Sequence, residues 1–144
     1  MDWYPATNFY FKVTFSGFSA EDDTKFLEVS GLEKKMEYEP LEEGGSQRVF
    51  YIPTRVSYKN LILKRGIFKG SGLTEWCDNT FENYAIELQD IQISLLDEQG
   101  NPLASWAVAN AYPVKWSMSP FNSMKNEFAV ESLEIAYESF KRTV

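Results

Sequence analysis

Ile91-Gln92-Ile93-Ser94-Leu95-Leu96-Asp97-Glu98-Gln99-Gly100-Asn101-Pro102 is the stretch that decides the fold class. Ile91, Ile93 and Leu95 alternate with Gln92 and Ser94, the two-residue period of a strand with one buried face. The polar run from Asp97 to Pro102 is turn chemistry, and Ser105-Trp106-Ala107-Val108 resumes an apolar strand. The stretch therefore predicts an antiparallel hairpin.

The same period extends outward in both directions. Upstream, Phe9, Phe11, Val13 and Phe15 share one face, with Lys12 and Thr14 on the other. A second strand runs from about Lys25 to Tyr38, broken at Ser30-Gly31, where an internal glycine marks a bulge or sharp bend. Asn60 to Arg65 is a further strand, closed by Gly66. Downstream, Tyr112, Val114, Trp116 and Met118 alternate, and a last strand lies near Glu127 to Phe140, with Leu133, Ile135 and Tyr137 on one face. The pattern changes once. After Gly70-Ser71-Gly72, the residues Leu73, Trp76, Cys77, Thr80, Phe81 and Tyr84 recur at helical spacing, which predicts a helix over about 72–84 capped by Ser71 or Gly72. Between Glu39 and Pro53 the chain is polar and glycine-rich at first, through Glu42-Glu43-Gly44-Gly45 and Arg48, then aromatic at Phe50-Tyr51. This reads as a long exposed loop over about 39–53 that could lie against a partner. Six to eight strands and one helix make a mainly β, antiparallel sandwich or barrel. No repeat or linker divides residues 1–144, so a single domain is expected.

Composition restricts the function classes. Of the 144 residues, 44% are hydrophobic and 24% charged, as in an ordinary globular chain. Aromatics reach 16%, which suits sheet cores and buried interfaces. A net charge of −7 opposes specific nucleic-acid binding, whose affinity comes from cations on phosphates. The start, Met1-Asp2-Trp3-Tyr4-Pro5, has neither a basic nor an apolar signal region, and no apolar run is long enough to span a bilayer. Synthesis in the cytoplasm without direct membrane insertion is expected, as is release by a route other than the usual signal.

Catalytic constellations are missing. There is no histidine, which removes histidine-based triads and histidine-bearing zinc sites. The single cysteine, Cys77, excludes an intrachain disulfide and sits on an apolar helix face, where free cysteine behaves as a small hydrophobe. The acid pairs Asp22-Asp23, Glu42-Glu43 and Asp97-Glu98 lie in predicted turns, solvated and unsuited to acid–base work. Lys69-Gly70-Ser71-Gly72 lacks the residue order of a phosphate loop. No catalytic residue, cofactor or metal is expected. A monomeric carbohydrate-binding β-sandwich is a second reading of the aromatic content.

An ordered series of segments resembles one family. Phe26-Leu27-Glu28-Val29-Ser30-Gly31-Leu32, Glu42-Glu43-Gly44-Gly45 and Asn60-Leu61-Ile62-Leu63-Lys64-Arg65-Gly66 resemble the N-terminal half of the contractile-phage tail tube proteins, which include the inner tubes of extracellular contractile injection systems. Leu73 with Trp76, the segment Ile91–Pro102, Trp106, Asn110-Ala111-Tyr112-Pro113-Val114-Lys115-Trp116, Asn126-Glu127 and Glu131–Glu138 continue the likeness in order. Tyr137 stands where the family favours histidine.

The resemblance implies a barrel-like β fold with a flanking helix, whose strands join those of neighbouring subunits into a ring. It implies six copies per ring, and rings stacked into a hollow tube that sheath contraction propels. The implied partners are copies of the chain itself, a contractile sheath protein, baseplate or spike and terminator proteins, and lumenal cargo, either effector protein or phage DNA. A tube-end protein next to the baseplate is the alternative within this class. The particle would be an injection system or a virion tail, released or membrane-anchored. Candidate subunit contacts are Trp3, Tyr4 and Pro5 in the N-terminal arm and Glu42, Glu43, Gly44, Gly45, Arg48, Phe50 and Tyr51 in the loop. Gln92 and Ser94, on the polar side of their strand, are candidates to face the lumen.

Overall fold

The computed structural model describes residues 10–17, 25–42, 44–45, 48–66, 72–119 and 129–144. The hairpin predicted around Asp97 is present as β7 (Gln89–Leu96) and β8 (Pro102–Met118). Its turn is organised by Asp97, whose carboxylate accepts from the backbone N–H groups of Gln99 and Asn101, each at 2.9 Å. The Asn101 N–H bond is the main reason that the Asp97 carboxyl is held below the usual aspartate range. The acid predicted to be merely solvated thus shapes the turn.

β1 (Tyr10–Phe15) adds to one side of β7. On its other side β8 meets β9 (Val130–Ala136) and β10 (Ser139–Arg142), which run antiparallel along it one after the other. β6 (Leu61–Gly66) pairs with β9, giving the order β1-β7-β8-β9-β6. One short stretch of chain ties the two ends of this order. Its first part, β2 (Lys25–Phe26), pairs with β1, and its second, β3 (Glu28–Ser30), pairs with β6. Between them the Leu27 N–H donates to the Lys64 carbonyl at 2.8 Å. The sheet therefore closes on itself as a barrel, which leaves few unpaired strand edges inside one copy.

Strand β8 is one 17-residue element where the sequence predicts two. It turns the corner at Asn110, which adopts φ +53°, tolerated by asparagine because its short polar side chain bonds locally. The Asn110 side chain donates to the Glu138 carboxylate, and its N–H to Asp90 Oδ1 at 3.1 Å.

The interior holds Val13, Phe15, Leu61, Leu63, Ile91, Ile93, Val108, Leu133 and Ile135, the inward positions of the alternating strands. Helix α1 (Gly72–Asn83) contributes Leu73, Trp76 and Cys77. Trp76 stacks obliquely on Phe15, centroids 5.7 Å apart, and its indole N–H donates to the Glu87 carbonyl at 2.7 Å. Ser71, one of the predicted caps, lies outside the described residues. Phe81 and Tyr84, predicted on the apolar face, are exposed instead. The reason is geometric. Tyr84 leaves the helix at φ +54°, and the buried face is already filled at Leu73, Trp76, Cys77 and Thr80.

Among the described residues one inward position is charged. Arg65 follows Leu61 and Leu63 on the inner face of β6 and is only 2% exposed. Its Nε donates to Glu131 Oε2 at 3.1 Å, and its guanidinium lies over the Phe26 ring at 5.9 Å. Glu131 also accepts from the Trp116 indole N–H through its other oxygen at 2.6 Å. A buried cation is tolerated only with such pairing.

Gly31, at the predicted bend, has φ +96°, and a Cβ there would stand 2.1 Å from the Asn60 carbonyl oxygen. Gly31→Ala is expected to lower stability by about 2 kcal/mol or more, since it combines a left-handed backbone with a backbone clash. Urea titration of purified protein would measure the loss.

Candidate functional site

The stretch read as a loop over 39–53 is a β-hairpin. β4 (Lys34–Glu42) and β5 (Val49–Tyr58) form a separate two-stranded sheet that pairs with no other described strand. Pro40 and the Gly44-Gly45 pair suggested irregular chain. Proline fits here because β4 has an edge that needs no N–H donor, and Gly45, at φ +87°, belongs to the turn. The register pairs Met36 with Val56, Tyr38 with Pro53, Pro40 with Tyr51 and Leu41 with Phe50, with a bulge between Glu37 and Tyr38.

Direct cross-strand partners point to the same face, so the register sorts the arm into two sides. One carries Met36, Val56, Tyr38, Tyr51 and Val49. The other carries Leu41, Phe50 and Ile52 toward the tip, then Glu39 opposite Ile52 and Arg55 opposite Glu37. All of these apolar side chains are exposed, Tyr38 at 60% and Tyr51 at 63%. Tyr38 and Tyr51 pack edge to face with centroids 5.2 Å apart. An isolated two-stranded hairpin is marginal in water, and apolar groups on both of its sides mark it as a binding element.

The root of the arm is fixed. Tyr58, Tyr137 and Phe140 form a three-ring cluster with centroids 5.4–6.0 Å apart. Lys34 Nζ lies over the Phe140 ring at 5.0 Å. The Tyr137 hydroxyl donates to the Lys59 carbonyl at 2.6 Å. Desolvation, then the proximity of Tyr58 and Glu33, pushes the Tyr137 phenol from 10.0 up to about 12. The neutral phenol is thus favoured by folding. Its contribution is complete below about pH 10 and is lost as pH rises toward 12. Unfolding midpoints measured from pH 8 to 12.5 are expected to fall more steeply for the wild type than for Tyr137→Phe over the upper two units.

Glu42, Gly44, Gly45, Arg48, Phe50 and Tyr51 all fall on the distal half of the arm, with Phe50 and Tyr51 on opposite sides. Trp3, Tyr4, Pro5 and Glu43 lie outside the described residues. Met36, Tyr38, Leu41, Val49, Ile52 and Val56 are exposed on the same two sides of the arm and were not among the candidate contacts. The alternation Met36-Glu37-Tyr38 was their signal. Gln92 and Ser94 sit on the solvent side of the barrel wall. There they stand opposite Thr14 and Lys12 of β1 and Ala107 and Ser105 of β8. Ser94 shares a 3.1 Å hydroxyl–hydroxyl bond with Ser105, and Gln92 donates to Thr143 at 3.4 Å. This face is built from short or polar groups.

Among the described residues no group of three or more acidic or cysteine side chains could hold a metal, and no described helix is long and apolar enough to cross a membrane. Cys77 is buried.

The described residues thus form a closed antiparallel barrel with one helix and an exposed apolar arm. Residues 7–141 match the family model of the T4-like virus tail tube protein gp19. The chain belongs to that tail tube family. A search of curated protein sequences finds no significant match. Among solved structures, the chain is similar to one in the cryo-EM structure of the anti-feeding prophage (AFP) baseplate, 6-fold symmetrised. That likeness is 26% identical, with TM-score 0.85, covering 99% of this chain and 97% of the other. It is also similar to a chain of the AFP tube-terminating cap (28% identity, TM-score 0.83, covering 99% and 93%). A third likeness is to a chain in the sheath–tube complex of the extracellular contractile injection system PVC in its extended state (26% identity, TM-score 0.81, covering 97% and 92%).

Proposed function

We propose that this chain is a non-enzymatic subunit of the inner tube of a contractile injection particle, six copies forming a ring and rings stacking into a hollow tube. The observation that carries this reading is the β4–β5 arm, apolar on both sides and paired with no other described strand. Its fit with the assembly is physical. An arm on one surface and its receiving site on another make a heterologous contact, which closes into rings or propagates as filaments. Likeness over nearly the whole chain to proteins from a six-fold baseplate and from a sheath–tube complex supports both the ring number and the sheath and baseplate as partners. The tube is pushed outward when the sheath shortens, and it conducts cargo, effector protein or nucleic acid. Gln92 and Ser94 face the lumen, where short polar groups and a chain charge of −7 keep acidic cargo from adsorbing. The assembled particle lies outside the producing cell or on a virion.

A tube-end role is the second reading, favoured by the 28% likeness to a chain of the tube-terminating cap structure. Negative-stain microscopy with sizing chromatography, on protein co-produced with its sheath and baseplate proteins, tests the main reading. Rings and long tubes containing the chain are expected. A subunit confined to the tube end would select the second reading, and a monodisperse glycan-binding monomer would contradict both.

A further inference from the structure

The arm joins the barrel where the chain enters it at Glu33 and leaves it at Lys59, and these two points are bound to each other. The Lys59 N–H donates to the Glu33 carbonyl at 3.1 Å. The Lys59 carbonyl accepts the Tyr137 hydroxyl at 2.6 Å, so one peptide segment is held from both sides. One residue on, the Asn60 amide donates to the Glu134 carboxylate at 3.1 Å. The rings add a second grip. Tyr137 packs on Tyr58 of β5 and on Phe140 of β10, and Lys34 of β4 covers the Phe140 ring. Tyr58 and Tyr137 are partly buried against the barrel core, to which Phe140 belongs. Tyr137 is the residue that takes part in both grips.

The register shows which side of the arm is gripped. The Lys34–Tyr58 pair lies two residues from the Met36–Val56 pair, on the side that also carries Tyr38 and Tyr51. The side clamped at the root is therefore the side whose apolar strip is exposed farther out. Among the described residues, β4 and β5 make their extensive contacts only with each other. The direction of the strip is then set at the root, where a rotation would swing it and leave the described barrel ladders intact. We infer that Tyr137 is a positioning residue for assembly, aiming the Tyr38–Tyr51 side of the arm before a neighbouring copy is met. This rests on the tube reading and adds what makes the arm competent. A loose arm must be ordered at every contact, and only the fraction already aimed binds. Hydroxyl and ring act separately, the first on the Lys59 peptide and the second on Tyr58.

Two spin labels report the aim directly. One is placed by Glu39→Cys on the side of the arm away from the strip, the other by Glu98→Cys in the β7–β8 turn, with Cys77→Ala removing the native thiol. Electron-resonance distances on the soluble subunit are expected to be narrow with Tyr137 present and broad with Tyr137→Ala. In particles assembled with their own sheath and baseplate proteins, Tyr137→Ala is expected to lower tube yield about tenfold at equal amounts of folded subunit. Tyr137→Phe keeps the ring cluster and loses the hydrogen bond, and its yield is expected to fall about fivefold. Ile93→Val, a core change away from the root, is expected to lower the thermal melt while distances and yield stay at the wild-type values. Should Tyr137→Ala fail to fold, Tyr137→Phe decides alone. Full tube yield from the folded Tyr137 variants, an unchanged distance distribution, or an equal loss of yield from Ile93→Val would overturn the inference and leave the tube reading standing. Wild-type particles whose tube lacks this chain would remove the reading itself.

Discussion

Replacing Glu131 by alanine is expected to destabilise the fold by about 2–3 kcal/mol, because it takes from the buried Arg65 guanidinium its carboxylate partner and from the Trp116 indole its acceptor. Arg65 is 2% exposed and bonded to Glu131 at 3.1 Å, while the same carboxylate receives the Trp116 indole at 2.6 Å. One substitution thus loosens β6, β8 and β9 together. The direction of the partner experiment is opposite. Arg65→Met with Glu131→Leu removes both charges, and an apolar pair of similar volume is expected to recover most of the loss. Urea unfolding followed by circular dichroism measures both. A cost below about 1 kcal/mol for Glu131→Ala would mean that Arg65 is satisfied elsewhere and that the ion pair does not hold the barrel.

The second large effect is on assembly. Tyr38→Asp with Tyr51→Asp is expected to abolish tube formation while leaving the barrel's unfolding free energy within about 1 kcal/mol of wild type. Among the described residues the arm forms its own two-stranded sheet and shares no ladder with the barrel, so its surface does not support the core. The two rings do contact each other, and that edge-to-face pair accounts for the small loss. Buried aromatic anchors typically contribute about 2 kcal/mol or more to a contact, and a tube repeats the contact at every subunit. A penalty of that size at each step leaves no stable polymer. Monomer on sizing chromatography and empty grids in the microscope are the expected results, alongside an unchanged melt of the barrel. Normal tubes from this variant would show that the arm is not the connecting element.

Strand content was legible because alternation is a local signal. Val13 and Phe15, Leu61 and Leu63, and Ile91 and Ile93 each declare their inward face within a few residues. The helix was legible for the same reason up to Thr80, and failed at Phe81 and Tyr84. Period alone does not reveal that the apolar face has run out of core to cover. The arm was half legible. Its aromatic end at Phe50 and Tyr51 stood out, but Pro40 and Gly44-Gly45 disguised two long strands as a loop, since proline and glycine carry the same local meaning in an exposed hairpin as in irregular chain. Arg65 was hidden by its type. Its parity with Leu61 and Leu63 pointed inward, yet a buried arginine is tolerable because partners such as Glu131 approach from distant strands, and that pairing spans 66 residues. Barrel closure through residues 25–30 is likewise a long-range event with no local mark.

The central claim, that copies of this chain build the channel of a contractile particle through their exposed arms, is tested most directly by cryo-EM of particles purified from the producing cell. Six-fold rings of this polypeptide lining the central channel, each arm buried against another copy, are expected. A channel built of a different protein, or rings in which the arms remain solvated, would contradict it.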